Sequence, residues 1–243
     1  MTLFLASVRD AAEAEMAIGA GADIIDLKDP GQGALGALAP DAIAACIRTI
    51  GGRVPVSATI GDLPLAGETI RAVVSATAAL GVDYVKLGLF PGEDTERCLN
   101  MLAEPAAEIR LILVLFADAP PEVDAIGLAA KIGASGLMFD TLGKGGGSLP
   151  DLIAPGKLAG FAASARAQGL TVGLAGSLKA RHVPGLLAFD PDLLGFRSAL
   201  CRDGNRAQPL DPVRLASIRA LIPKDPGTMR EANLPDFAPH ALC

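Results

Sequence analysis

The chain alternates short β-like runs with alanine-rich helical patterns along almost its whole length. The eight β-like runs are LFLAS (3–7), DIIDLK (23–28), VPVSAT (54–59), DYVKLG (83–88), RLILVLF (110–116), GLMFD (136–140), LTVGLA (170–175) and DLLGFR (192–197). Helices are predicted near residues 9–20, 39–50, 67–80, 93–107, 121–132, 149–168, 177–187 and 211–222. Strands that alternate with helices are typical of parallel sheets. Because a closed barrel of eight such units needs about 250 residues, the pattern predicts an α/β fold, a single-domain (β/α)₈ TIM barrel.

The C-terminal segment, residues 223–243, is predicted to lie outside this barrel. It has neither helical nor strand periodicity and contains Pro226, Pro235 and Pro239. No low-complexity linker divides the preceding part of the chain. We therefore expect one catalytic barrel domain over residues 1–222 and a short irregular C-terminal extension over 223–243, which is loose or packs on a neighbouring subunit of a homo-oligomer.

Composition narrows the classes of partner. Hydrophobic residues make up 51% of the chain and charged residues 20%, with a net charge of −6. There is no Trp and a single Tyr, and no broad basic surface is expected, which argues against binding to nucleic acid or to anionic lipid. No segment approaches about 18 uninterrupted apolar residues, and the N-terminus does not read as a signal peptide. We expect a cytoplasmic protein that acts on a small molecule.

The cysteines and histidines do not predict a metal site. The four cysteines lie far apart without C-x-x-C spacing, and the chain has only two histidines. A Cys/His zinc site is therefore not expected, and neither is another cofactor. The thiols are expected to be free and reduced.

The even-numbered predicted strands are preceded by related phrases, GADIIDLK, GVDYVKLG, GASGLMFD and, more loosely, DPDLLGFR. We set the first residue of each phrase as position zero, which gives Gly21, Gly81, Gly133 and Asp190. Position five then holds Asp26, Lys86, Met138 and Gly195, and position seven holds Lys28, Gly88, Asp140 and Arg197. Residues two apart on a strand share a face, and alternate strands of such a barrel supply common layers. We therefore expect the charged members to converge at the carboxyl-end mouth of the barrel.

Two lysines within strands, Lys28 and Lys86, are the sharpest chemical signal. A lysine held beside another cation in a poorly hydrated pocket can attack a carbonyl as the free amine and form a Schiff base, and a second lysine can then move protons. Asp26 and Asp140 lie where a carboxylate can pair with these lysines or act as general acid or base. The alternatives are solvated lysines at strand ends and a purely structural ion pair. Spacing alone does not divide the roles between the two lysines.

Loops after the sixth, seventh and eighth strands predict an anion site. DTLGKGGGSL is a glycine-rich loop that carries Lys144 and either closes over a ligand or is a plain connection. GLAGSLKARH and LGFRSALC each lead a strand towards a predicted helix N-terminus, where backbone N–H groups can bind an anion. Loops at these positions are the usual phosphate site of this barrel class. We predict that a phosphate subsite is formed by Gly176, Ser177, Arg197 and Ser198, the alternative being close packing of small residues.

The same motifs resemble those of one enzyme family. GADIIDLKDP followed by GALGA, then VSATIGD, DYVKLGL, MFDT followed by Lys144, LAGSLK and GFRSALC are similar, in order and spacing over residues 3–202, to the (5-formylfuran-3-yl)methyl phosphate synthases of methanofuran biosynthesis. The resemblance implies a lyase that condenses two molecules of glyceraldehyde 3-phosphate, with loss of phosphate and water. It further implies that Lys28 forms the Schiff base and Lys86 accepts a proton. Asp26, Asp140 and Lys144 are implied to lie nearby.

Two other functions fit the same residues. A class I aldolase or another sugar-phosphate lyase needs the same Schiff-base lysine and phosphate loops. A non-catalytic barrel that binds a phosphorylated metabolite needs only the loops and would bind triose phosphate without turnover. Formation of the furan separates the synthase from both alternatives.

Overall fold

Eight parallel strands close into a barrel in chain order, with the first strand also paired to the eighth. The computed structural model describes residues 1–92, 94–143 and 145–223. The strands are β1 (Leu3–Val8), β2 (Ile24–Leu27), β3 (Val56–Thr59), β4 (Tyr84–Gly88), β5 (Leu111–Phe116), β6 (Gly136–Asp140), β7 (Thr171–Leu174) and β8 (Leu193–Phe196). The predicted TIM barrel is confirmed, while the predicted tail lies outside the described residues from 224 onward.

Helices follow or precede every strand around the barrel. They are α1 (Ala11–Gly19), α2 (Pro40–Ile50), α3 (Gly67–Ala78), α4 (Thr95–Asn100), α5 (Ala103–Ala106), α6 (Ala125–Ile132), α7 (Leu149–Leu152), α8 (Pro155–Ala167), α9 (Val183–Leu187) and α10 (Pro212–Leu221). The carboxylates of Asp10, Asp124 and Asp211 accept backbone N–H groups at the starts of α1, α6 and α10. Such caps satisfy donors that no helical turn can reach. Within the described ranges, every helix is too short or too polar to cross a membrane.

Two of the predicted helices are interrupted by proline. The predicted helix over 93–107 becomes α4 and α5, because Pro105 has no N–H for the carbonyl four residues earlier and its ring crowds that carbonyl. The predicted helix over 149–168 becomes α7 and α8. Ala154 adopts φ −60° and ψ 145° between them, which is the extended conformation favoured immediately before a proline.

The strands separate an inner from an outer apolar layer, as β5 illustrates. Its outward residues pack in a cluster with α4 and α6 and are Leu111, Leu113 and Leu115. Its inward residues pack in a second cluster inside the barrel and are Ile112, Val114 and Phe116. This alternation follows from the two-residue period of a strand. Apolar side chains therefore fill this part of the interior.

The repeated phrases before the even-numbered strands have two structural causes. The residues at position zero all have left-handed φ, of 85°, 89°, 74° and 50°, and are Gly21, Gly81, Gly133 and Asp190. At position two of three of the four phrases, a carboxylate accepts the N–H of a residue in the preceding odd-numbered strand, through the pairs Asp23–Phe4, Asp83–Val56 and Asp192–Val172. The turn and the hydrogen bond to the carboxylate together fix how each of these strands pairs with its neighbour. This pairing directs the side chains at positions five and seven into the barrel.

Candidate active site

Asp26 lies at the centre of the candidate active site and is fully buried. One of its carboxylate oxygens accepts hydrogen bonds from Lys86 Nζ at 3.0 Å and from Ser57 Oγ at 2.7 Å. The other accepts from Ser7 Oγ at 2.8 Å and lies 4.0 Å from Lys28 Nζ. Burial alone would raise the pKa of Asp26, but the charges of both lysines and the hydrogen bonds from Ser57 and Lys86 outweigh it and hold the pKa below 3.8. Asp26 is therefore an ionised carboxylate shared by two lysines.

Asp140 provides the second carboxylate of the cluster. Its Oδ2 lies 3.6 Å from Lys28 Nζ, while its Oδ1 accepts the backbone N–H of Thr141 at 2.7 Å. The lysines are only 6% and 3% exposed, for Lys28 and Lys86 respectively. The alternative of solvated lysines at strand ends is therefore wrong. Asp26 and Asp140 balance the formal charges of the two lysines, which lowers the cost of burying all four groups.

The register of the barrel explains how Asp26 obtains its hydroxyl partners. Ser7 on β1 and Ser57 on β3 are the residues paired with Asp26 in the two neighbouring strands. Neither serine is among the site residues predicted from the sequence. A register alignment of β1, β2 and β3 could have found both, because neighbouring residues in a parallel sheet point to the same face.

One pocket at the carboxyl ends of the strands brings most of the predicted site residues together. Its lining includes eight of them, Asp26, Lys28, Lys86, Asp140, Gly176, Ser177, Arg197 and Ser198. Lys144, the ninth predicted residue, lies outside the described residues. The lining also includes Arg206, which sequence reasoning missed because it lies in an irregular loop beyond the last predicted strand.

The loop after β7 differs from its prediction. The helix predicted from residue 177 begins only at Ala180, as a 3₁₀ turn, so no helix N-terminus lies at Ser177. Gly176 and Ser177 instead have left-handed φ values of 101° and 50°. A Cβ on Gly176 would lie 2.9 Å from the Thr141 methyl group, so glycine is required there. Among the described residues, no acceptor binds the backbone N–H groups of Gly176, Ser177 and Ser198.

Arg197 lines the pocket, but the N–H groups of its guanidinium all bind other groups of the protein. The two terminal nitrogens bond both carboxylate oxygens of Glu13, and they also donate to the carbonyls of Ser7 and Gln208 at 3.2 Å each. The Nε donates to the carbonyl of Arg206 at 3.0 Å. These bonds occupy all five N–H groups of an arginine. The guanidinium of Arg197 thus holds the loop after β8, which leaves its predicted contact with phosphate without a free donor.

The described cysteines and acidic residues add no metal-binding cluster. Within residues 1–92, 94–143 and 145–223, no group of three or more His, Cys, Asp and Glu side chains is placed to hold a metal ion. Cys46, Cys98 and Cys201 are buried free thiols. Burial raises the pKa of the first two to about 11, which makes them poor nucleophiles.

Comparison with known proteins places this barrel in a family. The model of the 4-HFC-P synthase family matches residues 4–219, which include part or all of every strand. The chain belongs to the 4-HFC-P synthase family. This confirms the resemblance predicted from the motifs.

Relatives of this 4-HFC-P synthase family member carry matching names. A provisionally named (5-formylfuran-3-yl)methyl phosphate synthase of Methylorubrum extorquens is 45% identical over 214 residues, covering 87% of this chain and 88% of the relative. The (5-formylfuran-3-yl)methyl phosphate synthase of Methanocaldococcus jannaschii is 34% identical over 217 residues, covering 84% and 92%. The similarity therefore spans nearly the whole of each synthase and supports an enzyme.

The similarity of this chain to solved structures supports its fold and nothing further. Phosphoribosyl anthranilate isomerase from Thermus thermophilus superposes with a TM-score of 0.63 at 19% identity, covering 91% of this chain and 98% of that one. A 3-hexulose-6-phosphate synthase superposes with a TM-score of 0.57 at 18% identity, covering 92% and 100%. At such identities the likeness concerns architecture and does not carry chemistry from one barrel to another.

Proposed function

We propose that this member of the 4-HFC-P synthase family is a (5-formylfuran-3-yl)methyl phosphate synthase. It condenses two molecules of glyceraldehyde 3-phosphate through a lysine Schiff base, with loss of phosphate and water. The observation that carries the proposal is the pair of buried lysines that share Asp26 within one pocket. The names of the relatives agree with it.

The first proposed step is attack of Lys28 Nζ on the aldehyde carbon of the substrate. The amine must first lose a proton, and the Asp140 carboxylate at 3.6 Å is placed to receive it. The neighbouring positive charges lower the pKa of Asp26, which makes it a weak proton acceptor. A carbon–nitrogen bond then forms, water leaves, and the resulting iminium makes the adjacent carbon acidic.

The second proposed step is removal of a proton from that carbon by the neutral amine of Lys86, which has first released its own proton to solvent. Lys86 lies on the inward face of β4, and its Nζ bonds Asp26 at 3.0 Å. Asp26 thereby holds both lysines on one side of the substrate and offsets the charge that remains after proton transfer. The electron pair left on that carbon expels phosphate from the next carbon, and the enol that remains after elimination is the carbon nucleophile for condensation with the second aldehyde.

A phosphate group is proposed to bind between the loops after β7 and β8. The backbone N–H groups of Gly176, Ser177 and Ser198 line this side of the pocket without an acceptor in the described part of the chain. Backbone donors held by a rigid loop are suited to a phosphate dianion. The hydroxyl of Ser177, 3.3 Å from that of Thr141, can add a further hydrogen bond.

Incubation with glyceraldehyde 3-phosphate tests the proposed activity. Phosphate release and ultraviolet absorbance of the furan are followed together, and the product is identified by mass spectrometry. We expect both signals to rise in parallel. An open-chain sugar phosphate without phosphate release would indicate an aldolase, and binding of the substrate without turnover would indicate a non-catalytic barrel.

A further inference from the structure

Among the described residues that line the pocket, one cation has no carboxylate within 4 Å. Lys28 and Lys86 are balanced by Asp26 and Asp140, and Arg197 is paired with Glu13. Arg206 also lines the pocket; Asp140 and Asp62 attract it at longer range, but no carboxylate of the described residues lies within 4 Å of its guanidinium. A guanidinium stays charged at physiological pH, so a bound anion would give it a direct counter-charge.

The hydrogen bonds of Arg206 are also incomplete. One terminal nitrogen donates to the carbonyl of Gly33 at 2.8 Å, which ties the loop after β8 to the loop after β2. The Nε is buried and has no hydrogen-bond partner among the described residues. Buried polar groups are almost always paired in folded proteins, and an unpaired one marks a place where a ligand can supply the missing acceptor. A phosphate accepts two parallel N–H bonds from one guanidinium.

The loop that carries Arg206 is held at three successive backbone carbonyls. Arg197 donates to the carbonyls of Arg206 and Gln208, and Arg9 donates to the carbonyl of Ala207 at 2.9 Å. Arg197 is itself fixed by Glu13, which is only 4% exposed. This second arginine therefore positions the Arg206 side chain, so that binding a ligand costs little further ordering of the loop.

We propose that Arg206 is the residue that binds the phosphate monoester of the substrate and selects phosphorylated over unphosphorylated aldehydes. This inference rests on the proposed function only for the identity of the substrate. It gives Arg206 the cationic part of the phosphate subsite, for which the sequence predicts Arg197, and it puts that cation in the same pocket as the backbone N–H groups of Gly176, Ser177 and Ser198. Arg197 becomes a positioning residue.

Calorimetric titration with inorganic phosphate tests the site without reference to turnover. We expect Arg206→Gln to weaken phosphate binding by about tenfold or more. We expect Arg206→Lys to weaken it less, since lysine keeps the positive charge but lacks the paired N–H donors of a guanidinium. Arg202→Gln is the matched control, because Arg202 is exposed on the same loop. We expect the control to bind phosphate like the wild type. Equal affinities of wild type and Arg206→Gln would overturn the proposal.

Borohydride trapping with a phosphorylated and an unphosphorylated aldehyde tests whether Arg206 binds the ligand or only supports the structure through its contact with Gly33. We expect Arg206→Gln to form an adduct with unphosphorylated glyceraldehyde as fast as the wild type does, and to lose most of the preference for glyceraldehyde 3-phosphate. An equal decrease for both aldehydes would overturn the proposal. If the wild type makes no furan while its phosphate affinity still depends on Arg206, the proposed function fails and the phosphate site stands.

Discussion

At the scale of single residues, Asp26 is the group on which the site depends. It is inaccessible to solvent and bonds side chains from three strands, through Ser7, Ser57 and Lys86. A buried carboxylate with these partners stabilises the fold only while it is ionised and the lysines are charged. We therefore expect the same residue to contribute both to stability and to the proposed catalysis.

Replacement of Asp26 by asparagine is expected to lower the free energy of unfolding by about 3 kcal/mol, because Lys86 loses its closest buried counter-charge. Turnover is expected to fall by more than about a hundredfold. Urea unfolding and furan formation measure the two effects. Asp41→Asn, at an exposed position in the first turn of α2, is the control and should change stability by less than about 0.5 kcal/mol.

The pH dependence of that difference follows from the lowered pKa of Asp26. A lowered folded-state pKa gives stability that is present above the unfolded value of 3.8 and is lost as the pH falls through the folded-state value. We therefore expect the stability difference between wild type and Asp26→Asn to stay constant from about pH 5 to about pH 8. A difference that disappears within this range would show that Asp26 is not held ionised.

The positions of residues that follow the two-residue period of a strand could be predicted from the sequence. Asp26, Lys28, Lys86 and Asp140 could be placed on one inner surface because the repeated phrases give a common register. Arg206 could not be placed, since its loop has no period and its contact with Gly33 joins residues far apart in the chain. The engagement of Arg197 by Glu13 likewise depends on contacts between β8 and α1 that spacing does not encode.

At the scale of elements, the loops after β6 and β7 support each other at the rim of the pocket. Asp118 accepts the N–H groups of Leu142 and Gly143 at 2.7 Å each, which fixes the start of the loop after β6. Gly176, in the loop after β7, lies against the backbone of Asp140 and Thr141. The two loops can approach this closely only without a Cβ at that position.

Gly176→Ala is expected to lower the free energy of unfolding by about 1–3 kcal/mol and to weaken phosphate binding. The alanine would hold a left-handed φ of 101° and place its Cβ 3.1 Å from the Asp140 carbonyl carbon. Gly185→Ala, in α9 with open space around it, is the control and should leave stability unchanged or raise it by up to about 1 kcal/mol. Similar stability changes in both variants would contradict this account.

The strands could be predicted from sequence more fully than the helices. Each predicted β-like run coincides with one observed strand, with β1 extending one residue beyond its run to Val8, because strand length and alternation are set by the barrel itself. Helical periodicity continued across Pro105 and Pro155, where the backbone cannot continue as a helix. In the sequence, Asp23, Asp83 and Asp192 appear only as a repeated acidic residue. The backbone N–H groups that they bind could be identified only from the structure.

At the scale of the whole molecule, closure of the barrel encloses both apolar layers and the described thiols. Cys46 and Cys201 belong to one hydrophobic cluster of buried residues, and Cys98 belongs to another. Each is at most 1% exposed. Access of a reagent to these thiols therefore requires large parts of the barrel to open.

Alkylation of the native protein is expected to leave Cys46, Cys98 and Cys201 unmodified until the barrel unfolds. A pKa of about 11 leaves only about one thiolate in a thousand at pH 8 for the first two, and burial blocks the reagent. Iodoacetamide labelling with peptide mapping, with and without urea, measures this. Rapid labelling of any of the three without urea would contradict a closed barrel.

The assignment of Lys28 as the covalent residue is tested most directly by borohydride trapping with glyceraldehyde 3-phosphate and mapping of the adduct by mass spectrometry. The wild type should gain one stable adduct on a peptide that contains Lys28, and Lys28→Arg should gain none, because a guanidinium does not form the imine. Lys86→Ala should still form the adduct slowly while turnover nearly stops. An adduct mapped to Lys86 or Lys144 in the wild type, or persistent trapping in Lys28→Arg, would contradict the assignment.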